Sequence, residues 1–214
     1  MLGQAWEYFL SHQPDFWTKL GVHLKLSGFA LVMGITIGVG LGILAAQDRR
    51  SSILVTNVIG ALRAIPSLAI MAVMLPFIGI GFRPALIALT LLAIPPILIN
   101  TQTGFLSVDP AILESASGMG LSRFQVIGKV QLPLALPIII AGVRTATVEV
   151  LASATIGAII GAGGLGEYIF AGLSLGPAYI YLMLVGAIAV ALLTLTAEEL
   201  LNGFEALARR RFYR

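Results

Sequence analysis

The chain has 214 residues, 58% of them hydrophobic and only 11% charged, with a mean hydropathy of +0.98. Soluble domains carry about 25% charged residues, and no soluble core of this size hides so much apolar surface, so the surrounding medium is lipid. The net charge of +3 lies in short basic clusters beside apolar runs rather than in one patch, which argues against nucleic acid, and the lack of cysteine excludes disulfide and thiolate chemistry.

Residues 1–25 are expected to form an extracytoplasmic N-terminal segment. Its two histidines, His12 and His23, have no partners at metal-ligand spacing, so no metal site is expected. The first apolar run extends from Leu26 to Ala46 and meets Asp48-Arg49-Arg50, a cytosolic stop, so it is expected to be retained as a membrane helix. Gly34, Gly38 and Gly42 fall four residues apart on one face of it and allow close helix packing, more plausibly within one subunit than at a dimer seam. Residues 51–63 are mildly amphipathic and suit the inner membrane surface, and Pro66 is expected to kink the chain just inside the membrane. Ala64–Phe82 is predicted as the second membrane helix and Pro84–Val108 as the third.

Residues 107–133 form the longest segment assigned to the cytosol. Asp109 is a suitable N-cap, with Pro110 in the first helical position, and Gly118 or Gly120 can end the helix. Ser122 and Gln125 form a capping box for a second short helix, which Pro133 is expected to stop. The result is a compact knob turned at Gly120 and Leu121, where glycine admits another protein's backbone.

Leu134–Ile160 is the fourth predicted membrane helix, apolar apart from Arg144 and Glu149. Each charge in hydrocarbon costs roughly 2.5–3.5 kcal/mol, so both should face the bundle, a cavity or a partner. They either line or gate a path, or Arg144 ties the helix to the cytosolic loop near the inner surface while Glu149 is hydrogen-bonded in the bundle. Gly161-Ala162-Gly163-Gly164-Leu165-Gly166 matches a dinucleotide fingerprint formally, but with neither strand nor βαβ context it reads as a tight outer bend. Tyr168–Ala197 holds a re-entrant or surface stretch and then the fifth membrane helix from about Ala178, followed by a basic cytosolic tail over 206–214.

The inner loops would hold Arg49, Arg50, Arg123, Lys129, Arg209, Arg210, Arg211 and Arg214, against Lys19, Lys25 and Arg83 outside, which predicts N-out, C-in. Trp6, Trp17, Tyr179 and Tyr213 lie near the proposed interfaces. Few rings fall within the spans, Phe29 and Phe77 among them, so no aromatic cage for a quaternary ammonium ion is evident there. The chain has no phosphate-binding G-x-x-x-x-G-K-[ST] motif, so any ATP and its magnesium belong to another polypeptide, and this chain is expected to bind no cofactor of its own.

Glu114-Ser115-Ala116, the glycine at Gly120, and then Val130, Leu132 and Pro133 resemble the signature loop of type I permeases of binding-protein-dependent ABC importers. Serine replaces the usual alanine at 115, and valine the usual isoleucine at 130. Further stretches resemble osmoprotectant permeases: Arg63-Ala64-Ile65-Pro66-Ser67, Pro95-Pro96-Ile97-Leu98-Ile99-Asn100-Thr101, Val108-Asp109-Pro110, Leu134-Ala135-Leu136-Pro137, Ala141-Gly142-Val143-Arg144-Thr145 and the glycine run. Methionine-importer permeases share the glycine run but match the arginine and asparagine stretches less well.

The resemblance implies an all-α integral membrane protein with five transmembrane helices over 26–205 and a cytosolic coupling helix between helices three and four. It implies ATPase contact through Glu114, Ser115, Ala116, Gly118, Gly120 and Leu121, and candidate path or gate residues Arg63, Pro66, Asn100, Arg144 and Glu149. The implied partners are ABC ATPase subunits, a second permease subunit and an extracytoplasmic substrate-binding protein, in a bacterial or archaeal plasma membrane. The implied cargo is glycine betaine, choline, carnitine or a related solute, with an amino-acid importer of the methionine type as the alternative. An ion-coupled carrier is the remote rival, since it should show inverted repeats and buried acids.

Overall fold

The computed structural model describes residues 1–62 and 65–212. Among these the secondary structure is entirely helical: α1 (Leu2–Ser11), α2 (Gln13–Ala45), α3 (Arg49–Leu62), α4 (Ser67–Ile78), α5 (Phe82–Leu106), α6 (Pro110–Gly118), α7 (Arg123–Val126), α8 (Leu132–Ala154), α9 (Gly166–Leu175) and α10 (Ile180–Phe212). Four helical stretches are long and apolar enough to cross a membrane: Gln13–Ala45, Phe82–Leu106, Arg123–Ala154 and Pro177–Arg211.

The second expected span folds differently from its prediction. Its helix is only the 12 residues of α4, or about 18 Å at the α-helical rise, against a hydrocarbon core of about 30 Å. Gly79 (φ 83°) and Gly81 (φ 107°) end it in conformations that side chains rarely adopt, and hydropathy does not register that turn. Pro66, expected to kink the chain, lies in an extended conformation as the α4 N-cap, so the chain bends there ahead of α4.

Pro133 does not stop the second loop helix. Arg123 to Ala154 forms one continuous helical stretch, passing through a five-residue π turn at Ile127–Gln131. There the Leu132 amide bonds the Ile127 carbonyl five residues back. The wider turn relieves the clash between a proline ring and the carbonyl four residues earlier, and proline's missing donor costs little at the start of α8. At the far end, α8 passes into a 3₁₀ turn at Ile156–Ile160.

α5 is the centre of the bundle, packed between α2 and α8. Gly34, Gly38 and Gly42 are buried against it, as the intrasubunit reading expects. A Cβ at Gly34 would lie 2.5 Å from the Ala93 Cβ, one at Gly38 3.0 Å from Ile97, and one at Gly42 2.9 Å from the Leu98 carbonyl oxygen. On the other side, a Cβ at Gly142 would lie 2.6 Å from the Asn100 Cβ and 2.8 Å from the Pro96 carbonyl oxygen. Small residues thus bring these backbones together where lipid supplies no hydrophobic drive. The main core joins Leu26, Met71, Leu89, Ile97, Val150 and Ile160.

The glycine run forms the expected tight bend, with Gly161, Gly163 and Gly164 all at positive φ. α9 follows as a short helix folded onto α10, and a second core around Leu165, Tyr168, Leu182 and Val185 joins α1, α9 and α10. The N-terminal segment over residues 1–25, for which no secondary structure was expected, is helical in α1 and in the first turns of α2.

Candidate functional site

The segment between α5 and α8 is built as its local sequence dictates. The Asp109 carboxylate accepts the Ala111 amide at 2.9 Å and caps α6, with Pro110 in the first turn. At the far end, the Leu121 amide donates to the Ala116 carbonyl at 3.3 Å and the Gly120 amide to Ser117 at 3.0 Å. This is a Schellman motif with Gly120 (φ 86°) as its left-handed residue; Gly118 remains helical. Ser122 and Gln125 complete the capping box, with the Ser122 amide donating to Gln125 Oε1 at 2.9 Å.

Ala116 is buried under α6, whereas Glu114, Ser115, Gly118 and Gly120 are exposed and Leu121 is half-buried. The surrounding surface is unusually apolar for a polar loop: Phe124 is 85% exposed, Met119 75% and Ile112 44%. A shallow groove lined by Ala111, Ile112, Ser115, Ala116, Met119 and Val130 opens beside them. Gly120 has nothing within 4 Å of a built Cβ, so its backbone is open to an approaching surface. An exposed ring, a methionine and an isoleucine around an unobstructed glycine suit protein docking.

Polar ties hold this segment to the bundle. An Arg123 guanidinium N–H donates to Gln47 Oε1 at 2.7 Å, just beyond α2. Gln131 Nε2, on the π turn, donates to the Phe105 carbonyl at the end of α5 at 3.1 Å.

The path or gate candidates among the described residues are spread over three elements, with Pro66 at the start of α4, Asn100 on α5, and Arg144 and Glu149 on α8. Arg63 lies outside the described residues. Pro66 is exposed before α4. Asn100 sits at the α5–α8 crossing, with its Nδ2 donating to the Pro96 carbonyl at 2.8 Å. Arg144 instead faces α10, where it donates to Asn202 Oδ1 and lies 3.3 Å from Glu205 Oε2. The expectation that Arg144 ties α8 to the 107–133 loop is therefore corrected: its partners are on α10, because its helical position turns it away from α5. Glu205, with its side chain 11% exposed, also receives Arg209 at 2.9 Å. Glu149 is half-buried in α8.

Sequence reasoning missed an ionic and aromatic cluster ahead of the apolar part of α2, which starts at Leu26. Lys19 lies 3.2 Å from Asp15 and 2.5 Å from Glu167, and 5.5 Å from the Tyr168 ring centre. The Tyr168 hydroxyl donates to Asp15 at 2.7 Å. Burial opposes the charge on Asp15, but the Tyr168 hydroxyl and Lys19 outweigh it and hold its carboxyl below the usual range. Likewise burial opposes the Lys19 ammonium, while Glu167 and Asp15 hold its pKa above that of ordinary lysine. Nearby, fully buried His23 donates from Nε2 to the Leu151 carbonyl at 3.1 Å. That carbonyl is left free where α8 tightens and the Thr155 amide turns to Ala152.

Among the described residues, an all-helical fold with four bilayer-length helices, and a capped two-helix loop between the second and third, is that of a multi-pass membrane protein. Residues 38–210 match the family described as "Binding-protein-dependent transport system inner membrane component", and the chain belongs to that family, the membrane components of ABC transporters. It is 37% identical to the glycine betaine/carnitine/choline transport system permease protein OpuCB of Bacillus subtilis, over 94% of this chain and 91% of that one. It is 43% identical to the carnitine transport permease protein OpuCB of Listeria monocytogenes, over 92% and 90%. The fold matches a solved inward-facing structure of the MetNI methionine ABC transporter with a TM-score of 0.81 at 22% identity, covering 90% of this chain and 95% of that one.

Proposed function

We propose that this chain is the membrane permease subunit of an ATP-driven, binding-protein-dependent importer for osmoprotectants of the glycine betaine, choline and carnitine kind. The observation that carries the reading is identity of 37–43%, over nearly the whole chain, to permeases named for those solutes. The methionine-transporter likeness, at 22% identity, speaks to fold alone.

In this reading α4 and its flanks complete a fifth crossing, with the N-terminal segment outside and the tail after α10 inside. Residues 26–205 form the transmembrane domain, and Glu114–Leu121 is the coupling knob that docks on a separate ATPase, which holds the ATP and magnesium. Two permease subunits, two ATPases and an extracytoplasmic binding protein make the working unit. ATP draws the knobs together and the cavity turns outward to take solute from the binding protein; hydrolysis returns it inward. Asn100, at the α5–α8 crossing, and Glu149 are the path candidates best supported by their positions. Arg144 acts on the path through α10, and Pro66 stands at the entry to α4.

The test is reconstitution in liposomes with the cognate ATPase and binding protein, measuring ATP-dependent uptake of labelled betaine, choline, carnitine and methionine. Uptake of quaternary ammonium solutes and not methionine is expected; methionine uptake alone overturns the solute assignment. Because the chain has no cysteine, single cysteines at Ser11 and Ser117 report orientation through an impermeant maleimide. Ser117 is expected to label only from the cytosolic side.

A further inference from the structure

We propose that Gln131 is a positioning residue that passes displacement of the α6–α7 segment to α5, through its hydrogen bond to the Phe105 carbonyl. The inference rests on the reading of that segment as the ATPase contact and adds the joint by which its motion enters the bundle.

The argument starts at the end of α5, where the last carbonyls of a helix lack helical partners. Ser107 satisfies two of them: its amide donates to Thr103 at 2.9 Å and its hydroxyl to Gly104 at 2.8 Å. The next, Phe105, is satisfied from outside the helix, by Gln131 Nε2 at 3.1 Å. Phe105 itself is 1% exposed and packs with Ala135 and Ile139 of α8. One residue earlier the two backbones nearly touch, since a Cβ at Gly104 would lie 3.0 Å from the Ala135 carbonyl oxygen. The end of α5 and the start of α8 therefore form a stiff joint.

The second observation is the π turn that presents Gln131. One extra residue in the turn offsets the helix faces on either side by about 100°. Val126 is thereby kept buried on the loop side of the turn while Gln131 reaches α5 on the other. A π turn is a costly local departure from α geometry and is common at functional positions. Here it sits between the exposed knob and the first membrane contact, where rotation of α7 must enter the bundle. Without the Gln131 bond, α7 can pivot on the π turn and leave α5 behind.

The experiment uses the full complex in liposomes and reads solute taken up per ATP hydrolysed. Gln131→Leu keeps the size of the side chain and removes the donor, whereas Gln131→Lys keeps a donor within reach. Leucine is expected to leave ATPase binding and the melting temperature near wild type while lowering uptake per ATP roughly two- to tenfold, the range of one net hydrogen bond. Lysine is expected to recover most of that loss. Unchanged uptake per ATP in Gln131→Leu overturns the inference. So does a loss that lysine does not recover and that tracks the melting temperature, since that marks a cap with no role in transmission. A wild-type complex without ATP-driven uptake overturns the underlying importer reading, and this inference with it.

Discussion

Gly120 offers the sharpest test of the docking knob, because its conformation and its surroundings make separate demands. At φ 86° a side chain is strained by about 1–2 kcal/mol, enough to lower the population of the native turn by a factor of roughly 5–30. Yet nothing lies within 4 Å of a Cβ placed there, so an alanine methyl meets no other atom of this chain. Gly120→Ala and Gly120→Phe share the strain of the left-handed backbone and differ in how far they reach outward; Gly120→Asn tolerates that conformation best. In reconstituted complexes Asn should be mildest, Ala intermediate and Phe without ATP-coupled uptake, with equal membrane insertion and equal melting for Ala and Phe. If Phe transports as well as Ala, no protein surface approaches this turn and the docking argument is wrong.

Three further outcomes follow from the same geometry. Arg144→Ala strips Glu205 of one partner while Arg209 remains, so melting in detergent should report a loss of about 1–3 kcal/mol, and the double variant Arg144→Ala with Glu205→Gln should recover part of it. Lys19→Met removes an ion pair whose carboxylate partners are more than 40% exposed, so its effect on melting should stay within about 1 kcal/mol and shrink further in high salt. Because Asp15 titrates below its usual range in the folded chain, its contribution is present above pH about 4 and is lost as acid protonates it; Asp15→Asn should flatten that acid limb of the melting profile.

What was legible in the sequence is what short-range rules control. Asp109, Pro110, Gly120, Ser122 and Gln125 act within a few residues of themselves, and each is found in the role that its type and spacing predict. The apolar runs gave α2, α5, α8 and α10 because bilayer thickness sets a length that composition displays. Pro133 was misread because the rule applied to it assumes α-helical hydrogen bonding, and the π turn suspends that rule locally. The partners of Arg144, Lys19 and Gln131 were illegible for another reason: each lies on an element far along the chain, and no local pattern specifies which helix a polar side chain will meet. α1 did leave a trace, since Leu2, Trp6 and Phe9 recur at helical spacing.

Two glycines of α2 decide whether that helix meets only its own bundle. Gly42 is buried, and a Cβ there would sit 2.6 Å from the Thr101 Cβ and 2.9 Å from the Leu98 carbonyl oxygen. Backbone cannot yield as a flexible side chain does, so Gly42→Ala forces α2 away from α5 at a cost of about 1–3 kcal/mol. Gly40, two residues earlier, is exposed and has nothing within 4 Å, so Gly40→Ala meets no resistance within the subunit and gains about 0.5–1 kcal/mol from helix propensity. Measured as melting of the isolated subunit in detergent, the two substitutions should move stability in opposite directions. The assembled complex adds the sharper reading: if Gly40→Ala destabilises the complex while stabilising the subunit, a second helix approaches the exposed face of α2, and α2 serves assembly on that face as well as the bundle on the other.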